Sequence, residues 1–220
     1  MPELLPLFLN LTGRDVLLVG GGRVAESKLR QLLAAGARVR VVAPAVAGSI
    51  REASVTIAER GFDPADLEGV WLVVAAATPE VNRAVAEAAE TRRIFVNAVD
   101  DPANATAFLS GVVRRDGVTM AISTSGDAPA LTSLLRESLD EVLPQDLAAW
   151  VTTARDQRIE WRRKAVPMDA RKPLLLRALN RLYHSTANPD AAAGTPVSAD
   201  APRPAVQRVP WLSGPEDSWL

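Results

Sequence analysis

Residues 15–36 read DVLLVGGGRVAESKLRQLLAAG, and this stretch decides the fold. Its first part, DVLLVG at 15–20, is an unbroken run of β-branched residues and leucine stopped by glycine, the pattern of a strand buried on both faces. Helical spacing follows at once. Ala25, Leu29, Leu32 and Leu33 fall at i, i+4, i+7 and i+8, and Gly36 sits where a C-terminal cap belongs. Between strand and helix, Gly20-Gly21-Gly22-Arg23-Val24-Ala25 fits G-x-G-x-x-A. A match of this kind carries weight only between a strand and a helix, and here it has that context. Gly20 permits the tight turn, Gly22 lets backbone approach a pyrophosphate, and Ala25 lets the helix pack close to the sheet. The helix start offers free N–H groups and a positive dipole end to phosphates.

The same alternation continues outward. Residues 37–44 (ARVRVVAP) form a second strand broken by its proline, 55–58 a weaker third, 70–77 (VWLVVAAA) a fourth and 94–99 (IFVNAV) a fifth. A helix spans 79–92, with Pro79 in its first turn. Alternating strands and helices at short loop lengths predict βαβ units and a parallel, Rossmann-type sheet, an α/β fold. Before it, Leu7, Leu9 and Leu11 alternate with Phe8 and Asn10, predicting a short strand that ends at Gly13. After Asp100 the pattern changes. Residues 106–113 and 118–123 read as a hairpin around Arg114-Arg115-Asp116-Gly117, then helices at 128–143, 145–161 and about 169–183. The expected organisation is a Rossmann domain at 1–105, a small α+β region at 106–146, a basic helical region at 147–185 and a tail at 186–220. The tail is Pro-rich, with Trp211 and Trp219 as its large aromatics, and its composition predicts disorder.

Composition narrows the chemistry. The 220 residues contain no cysteine and one histidine, His184, which excludes disulfides, thiolate metal sites and multi-histidine cages. Lys+Arg 25 against Asp+Glu 26 leaves a net charge of −1, so no global basic field points to nucleic acid. No apolar run is long enough to span a membrane and no basic leader precedes the first leucines. Both fit a cytoplasmic setting.

Ligands of an open parallel sheet sit beyond the carboxyl ends of its strands. Thr78, Asn97 and Asp100 fall there. Asp100, beside apolar strand residues, is a candidate proton acceptor that partial burial would tune. The alternative reading makes Asp100-Asp101-Pro102 a turn, with Asp101 its former. No acid or arginine follows the second strand, so the residues do not choose NAD or NADP. The main chain of Ala43, Pro44 and Ala45 is expected to line the adenosine pocket. Ser123, Thr124, Ser125 and Gly126 precede a helix, as anion binders or as plain caps. Arg155 to Arg181 carries nine basic residues against three acids, Arg162 and Arg163 among them. That excess suits a solvated face or a ligand with several carboxylates, and less well an RNA, since few aromatics accompany it.

Residues 5–44, LPLFLNLTGRDVLLVGGGRVAESKLRQLLAAGARVRVVAP, resemble the start of the precorrin-2 dehydrogenase family, also the N-terminal module of siroheme synthase. WLVVAAAT, RRIFVNAVDDP, the S-T-S-G-x-x-P run at 123–129 and LLRESLDEVLP match in order, over about residues 3–165. The resemblance implies oxidation of precorrin-2 to sirohydrochlorin with NAD⁺, a homodimer with a dimerisation region, and an aspartate matching Asp100. It also implies a dinucleotide site at the glycine loop with Arg23 and Val24, and at Pro44 and Ala45. Asn97, Ser123, Thr124, Ser125, Arg162 and Arg163 are then expected to meet the tetrapyrrole. Some members insert Fe²⁺ or Co²⁺, so a chelatase sharing the cleft, with no resident metal site, is one alternative. A non-catalytic dinucleotide sensor is another.

Overall fold

The computed structural model describes residues 4–186, so the expected disorder at 187–220 and the roles of Trp211 and Trp219 lie outside the described residues. These residues divide into two compact units, one of 4–112 and 121–137, the other of 113–120 and 138–186.

The first unit is a five-stranded parallel sheet. In chain order it contains β1 (Asp15–Val19), α1 (Arg23–Ala34), β2 (Arg38–Val42), the short α2 (Gly48–Arg51), β3 (Thr56–Ala58), β4 (Leu72–Ala75), α3 (Pro79–Glu90) and β5 (Phe95–Ala98). The strand order is β3-β2-β1-β4-β5, every pair parallel. The chain therefore leaves β1 toward one edge and returns to β4 on its other side. That reversal opens a crevice between the carboxyl ends of β1 and β4.

The strand residues alternate between two cores, as the two-residue period requires. Val16, Leu18, Val39, Val41, Leu72 and Val74 pack with Ala25, Leu29 and Leu32 of α1. Leu17, Val19, Val42, Val73, Ala75 and Val96 pack on the other face with Val85 and Ala89 of α3. Both faces are covered, so residues 16–19 of β1 and the whole of β4 are apolar. A buried carboxylate pins the edge. Asp66, 4% exposed, accepts two hydrogen bonds from the Arg60 guanidinium (2.6 and 2.8 Å) and one from the Asp63 N–H (2.9 Å).

The strand expected at Leu7–Leu11 does not form. Leu7, Phe8 and Leu9 are exposed, and only Leu11 reaches the core. Asn10 Oδ1 accepts the Thr12 N–H at 3.1 Å, a local bond that competes with strand pairing.

The hairpin is shorter and shifted from expectation: β6 (Gly111–Arg115) and β7 (Val118–Ile122). Arg114 and Arg115 extend the strand, and the turn is Asp116-Gly117 alone, with φ of 50° and 84°. Positive φ at both central residues is the turn geometry that matches strand twist. Residues 106–110 are not strand; the Thr106 and Ala107 N–H groups both donate to the Val96 carbonyl.

Helix α4 (Pro129–Val142) spans both units. In the second unit, α5 (Leu147–Arg163) and α6 (Met168–Thr186) follow, and its core joins Val113, Leu143 and Leu147. Trp150 Nε1 donates to the Tyr183 hydroxyl (2.6 Å), which donates to Asp146 (3.1 Å). Among the described residues, no helix is long and apolar enough to cross a membrane.

Candidate functional site

The glycine loop leaves the carboxyl end of β1, and its first two glycines each have a separate reason to be one. Gly20 has φ +125°, and a Cβ there would lie 2.2 Å from the Ala76 carbonyl oxygen. A Cβ on Gly21 would lie 2.0 Å from the Ala45 carbonyl oxygen. Main-chain bonds lock this contact: the Gly20 N–H donates to Val42 (2.9 Å) and the Ala47 N–H donates to Gly21 (2.8 Å). Gly22 differs. Its φ is −87°, and nothing stands within 4 Å of where its Cβ would be. It is the N-cap of α1, and no side chain caps that helix. Its first-turn N–H groups have no intrahelical partners. Open space in front of uncapped, dipole-aligned N–H groups is the cradle a diphosphate needs, so the chain's own geometry fits a dinucleotide.

The remaining expected cofactor residues gather at the same end of the sheet. Arg23 and Val24 begin α1 and are exposed. Ala43 is buried directly after β2, while Pro44 and Ala45 beyond it are exposed. Thr78 is the exposed N-cap of α3, after β4. Its loop is held from behind by buried Asn82, whose Oδ1 accepts the Ala77 N–H at 3.1 Å.

A cavity of about 200 Å³ opens next to β5, wholly within the first unit. Asn97, Asp100, Ser123 and Thr124 line it together with Lys28, Phe108, Ser110 and Thr132. Asn97 is 6% exposed. Its Nδ2 donates to the Ala107 carbonyl at 3.0 Å, while its Oδ1 is buried with no donor. Asp100 has φ +56°, a left-handed conformation that aspartate accepts better than most residues. It is exposed, so the expected partial burial is not found: the turn after β5 lifts it off the apolar strand. Asp101 opens the following turn, with the Asn104 N–H and Nδ2 donating to its carbonyl (3.2 Å) and carboxylate (2.8 Å).

The hydroxyls before α4 hold their own loop. Ser123 Oγ accepts the Ser125 N–H (3.1 Å). Thr124 Oγ1 accepts the Ala128 N–H (3.3 Å) and bonds the Thr132 hydroxyl (2.9 Å). Capping is thus one of their tasks, and it supplies what Ala128 lacks as a cap. Ser125, at φ +56°, is the turn residue and does not line the cavity. Neither do Arg162 and Arg163, which end α5 in the second unit. Arg163 pairs with Glu160 (2.9 and 3.0 Å), as does Lys164 (3.3 Å). Part of the basic excess is therefore neutralised on its own helix.

Sequence reasoning missed Lys28. The signal was present: with Ala25, Leu29 and Leu32 it completes an i, i+3, i+4, i+7 stripe, so a lysine stands on a face that burial selects. Lys28 is half-buried and its pKa is lowered by that burial, against an upward pull from the Asp100 carboxylate.

Residues 7–111 match the family described as putative NAD(P)-binding. The chain is 39% identical over 201 residues to siroheme synthase of Citrobacter koseri, covering 88% of this chain and 44% of that one. The chain is a homologue of the siroheme synthases. It is also 40% identical over 196 residues to the enzyme of Salmonella arizonae (86% and 43%) and 39% identical over 203 residues to siroheme synthase 1 of Aeromonas salmonicida (89% and 43%). The chain thus spans less than half the length of these curated relatives. A solved structure, SirC, precorrin-2 dehydrogenase, is similar with a TM-score of 0.62 and 26% identity, over 78% of this chain and 87% of that one.

Proposed function

We propose that the chain is an NAD⁺-dependent dehydrogenase that oxidises precorrin-2 to sirohydrochlorin. The observation that carries this reading is one sheet end that holds both an uncapped glycine-loop helix and, at its β5 corner, a cavity lined by a carboxylate and a buried, donor-seeking amide. The homology to siroheme synthases and the likeness to a precorrin-2 dehydrogenase select the substrate among those such a site would take.

In this reading Gly20, Gly21, Gly22, Arg23 and Val24 hold the diphosphate, and Ala43, Pro44, Ala45 and Thr78 flank the adenosine and the turn between the cofactor's halves. NAD⁺, when bound, supplies the acceptor for a hydride. Removing two hydrogens from precorrin-2 releases one hydride and one proton, and Asp100 takes the proton. Exposure keeps Asp100 able to pass that proton to water. Asn97, Ser123 and Thr124 orient the macrocycle from the cavity wall, and Ser125 fixes the turn that presents the two hydroxyls. Arg162 and Arg163 belong to a basic surface that attracts a polycarboxylate from a distance.

The chain works as a homodimer in the cytoplasm. Leu131, Leu135, Leu139 and Val142 lie at i, i+4, i+8 and i+11 on α4, each between 37% and 59% exposed. A helix with no buried residue and one apolar stripe suits a second copy's stripe.

The test is an anaerobic absorbance assay of precorrin-2 with and without NAD⁺. Wild type is expected to produce sirohydrochlorin only with NAD⁺. Asp100→Ala is expected to lose about 100-fold or more in kcat and keep NAD⁺ affinity. Wild type without NAD⁺-dependent turnover, or an Asp100→Ala variant with full turnover, contradicts the reading.

A further inference from the structure

The cavity beside β5 has an uneven charge pattern. Asp100 and Asp101 both line it, and Lys28 is its single cation. Among the described residues, Lys28 makes no ion pair or hydrogen bond. A half-buried ammonium with no hydrogen bond or close ion pair is costly, because the Asp100 carboxylate acts on it only at longer range and does not offset its lost hydration. Asn97 Oδ1, in the same wall, is a second polar atom awaiting a partner. It is buried, and water or a ligand donor must satisfy it. One unpaired cation and one unpaired acceptor define the missing species: a group that carries a negative charge next to an N–H.

Whole small-molecule pockets hold roughly 300 Å³ or more, and this one holds about 200 Å³. It therefore receives one edge of a larger ligand. A pyrrole-type ring bearing a carboxylate arm has that size and both required groups.

We propose that Lys28 is a substrate-binding residue that holds a carboxylate side arm of the tetrapyrrole in this cavity, which Asp100 also lines. The assignment rests on the tetrapyrrole reading above. The α1 helix that presents N–H groups to the cofactor at its first turn thus presents a cation to the substrate from its second. Arginine at 28 would keep the charge and reach, whereas methionine would keep only the stem.

The experiment compares wild type, Lys28→Met and Lys28→Arg in three measurements: NAD⁺ binding by calorimetry, sirohydrochlorin binding by absorbance titration, and precorrin-2 turnover. Loss of one charge-assisted contact is expected to raise both the sirohydrochlorin Kd and the precorrin-2 KM about tenfold or more in Lys28→Met. Its kcat should stay within about threefold of wild type and its NAD⁺ Kd should not change, and Lys28→Arg should recover most of the loss. Unchanged sirohydrochlorin affinity in Lys28→Met overturns the proposal, as does a loss confined to kcat, or an equal loss in Lys28→Arg. A wild-type chain that binds sirohydrochlorin but does not oxidise precorrin-2 overturns the dehydrogenase reading, and the binding titration then decides Lys28 alone. A wild-type chain that binds neither tetrapyrrole overturns both.

Discussion

The sheet unit joins twelve buried residues on one face and eleven on the other, whereas the main cluster described in the helical unit joins three. The sheet unit also buries one carboxylate, Asp66, against Arg60, while α5 carries exposed pairs such as Arg163 with Glu160. The difference separates two jobs. A sheet filled on both faces fixes strand ends closely enough to place a loop for a diphosphate, because close-packed interiors resist displacement. In the proposed homodimer, the exposed apolar stripe of α4 supplies the association that a thin helical core would call for.

Substitutions can break this contrast. The largest effect is expected in the sheet: Leu18→Ala removes a fully buried side chain between α1 and β1 and should cost about 3 kcal/mol in chemical denaturation. Next comes Asp66→Asn, which removes the charge that Arg60 answers and should cost about 2 kcal/mol. The pH dependence has a definite sign. The Arg60 guanidinium holds the Asp66 carboxyl below its ordinary value. Its contribution is present above the unfolded pKa of about 3.9 and is lost as pH falls through the lower, folded value. Asp66→Asn should flatten the stability curve in that acid range and leave it unchanged in shape near neutrality. The smallest effect on the single chain is expected on α4. Leu135→Glu should alter unfolding of the isolated protomer by no more than about 0.5 kcal/mol, yet shift the mass in light scattering from dimer to monomer. A dimer that survives the charge places the association surface elsewhere.

The parallel sheet was legible because burial on both faces leaves an unbroken apolar run at β1 and β4, and because Gly20–Gly22 and Gly36 punctuate α1. The hairpin was legible as a hairpin, but its turn was not: Arg114 and Arg115 look like loop residues and are strand, since Arg114 is exposed while half-buried Arg115 donates to the Leu143 and Asp140 carbonyls and to the Asp140 carboxylate. Leu7–Leu11 misled for a different reason. Alternation signals a strand only where a partner edge exists, and here an asparagine side chain takes the backbone bond instead. At the site, residues defined by backbone geometry were readable: Gly20, Gly21 and Gly22 in their loop, and Asn97 and Asp100 by their position at a strand end. Asp100 was read as partly buried because its neighbours in sequence are apolar, while its left-handed backbone turns it outward. Lys28 was not read, because a lysine on an amphipathic helix usually belongs to the wet face, although its place in the stripe of Ala25, Leu29 and Leu32 marks this one as an exception.

The central claim is that a dinucleotide diphosphate rests on the start of α1, and Gly22→Asp tests it most directly. Nothing in the chain stands within 4 Å of a Cβ at position 22, and its φ of −87° suits any residue. Aspartate at an N-cap strengthens a helix, so the melting temperature should hold or rise. The same carboxylate would occupy and repel the diphosphate position. Calorimetry should show saturable NAD⁺ binding to wild type and at least about a 100-fold weaker signal in Gly22→Asp, a charge placed against a charge at short range. No NAD⁺ binding by wild type, or undiminished binding by the folded variant, would contradict the account.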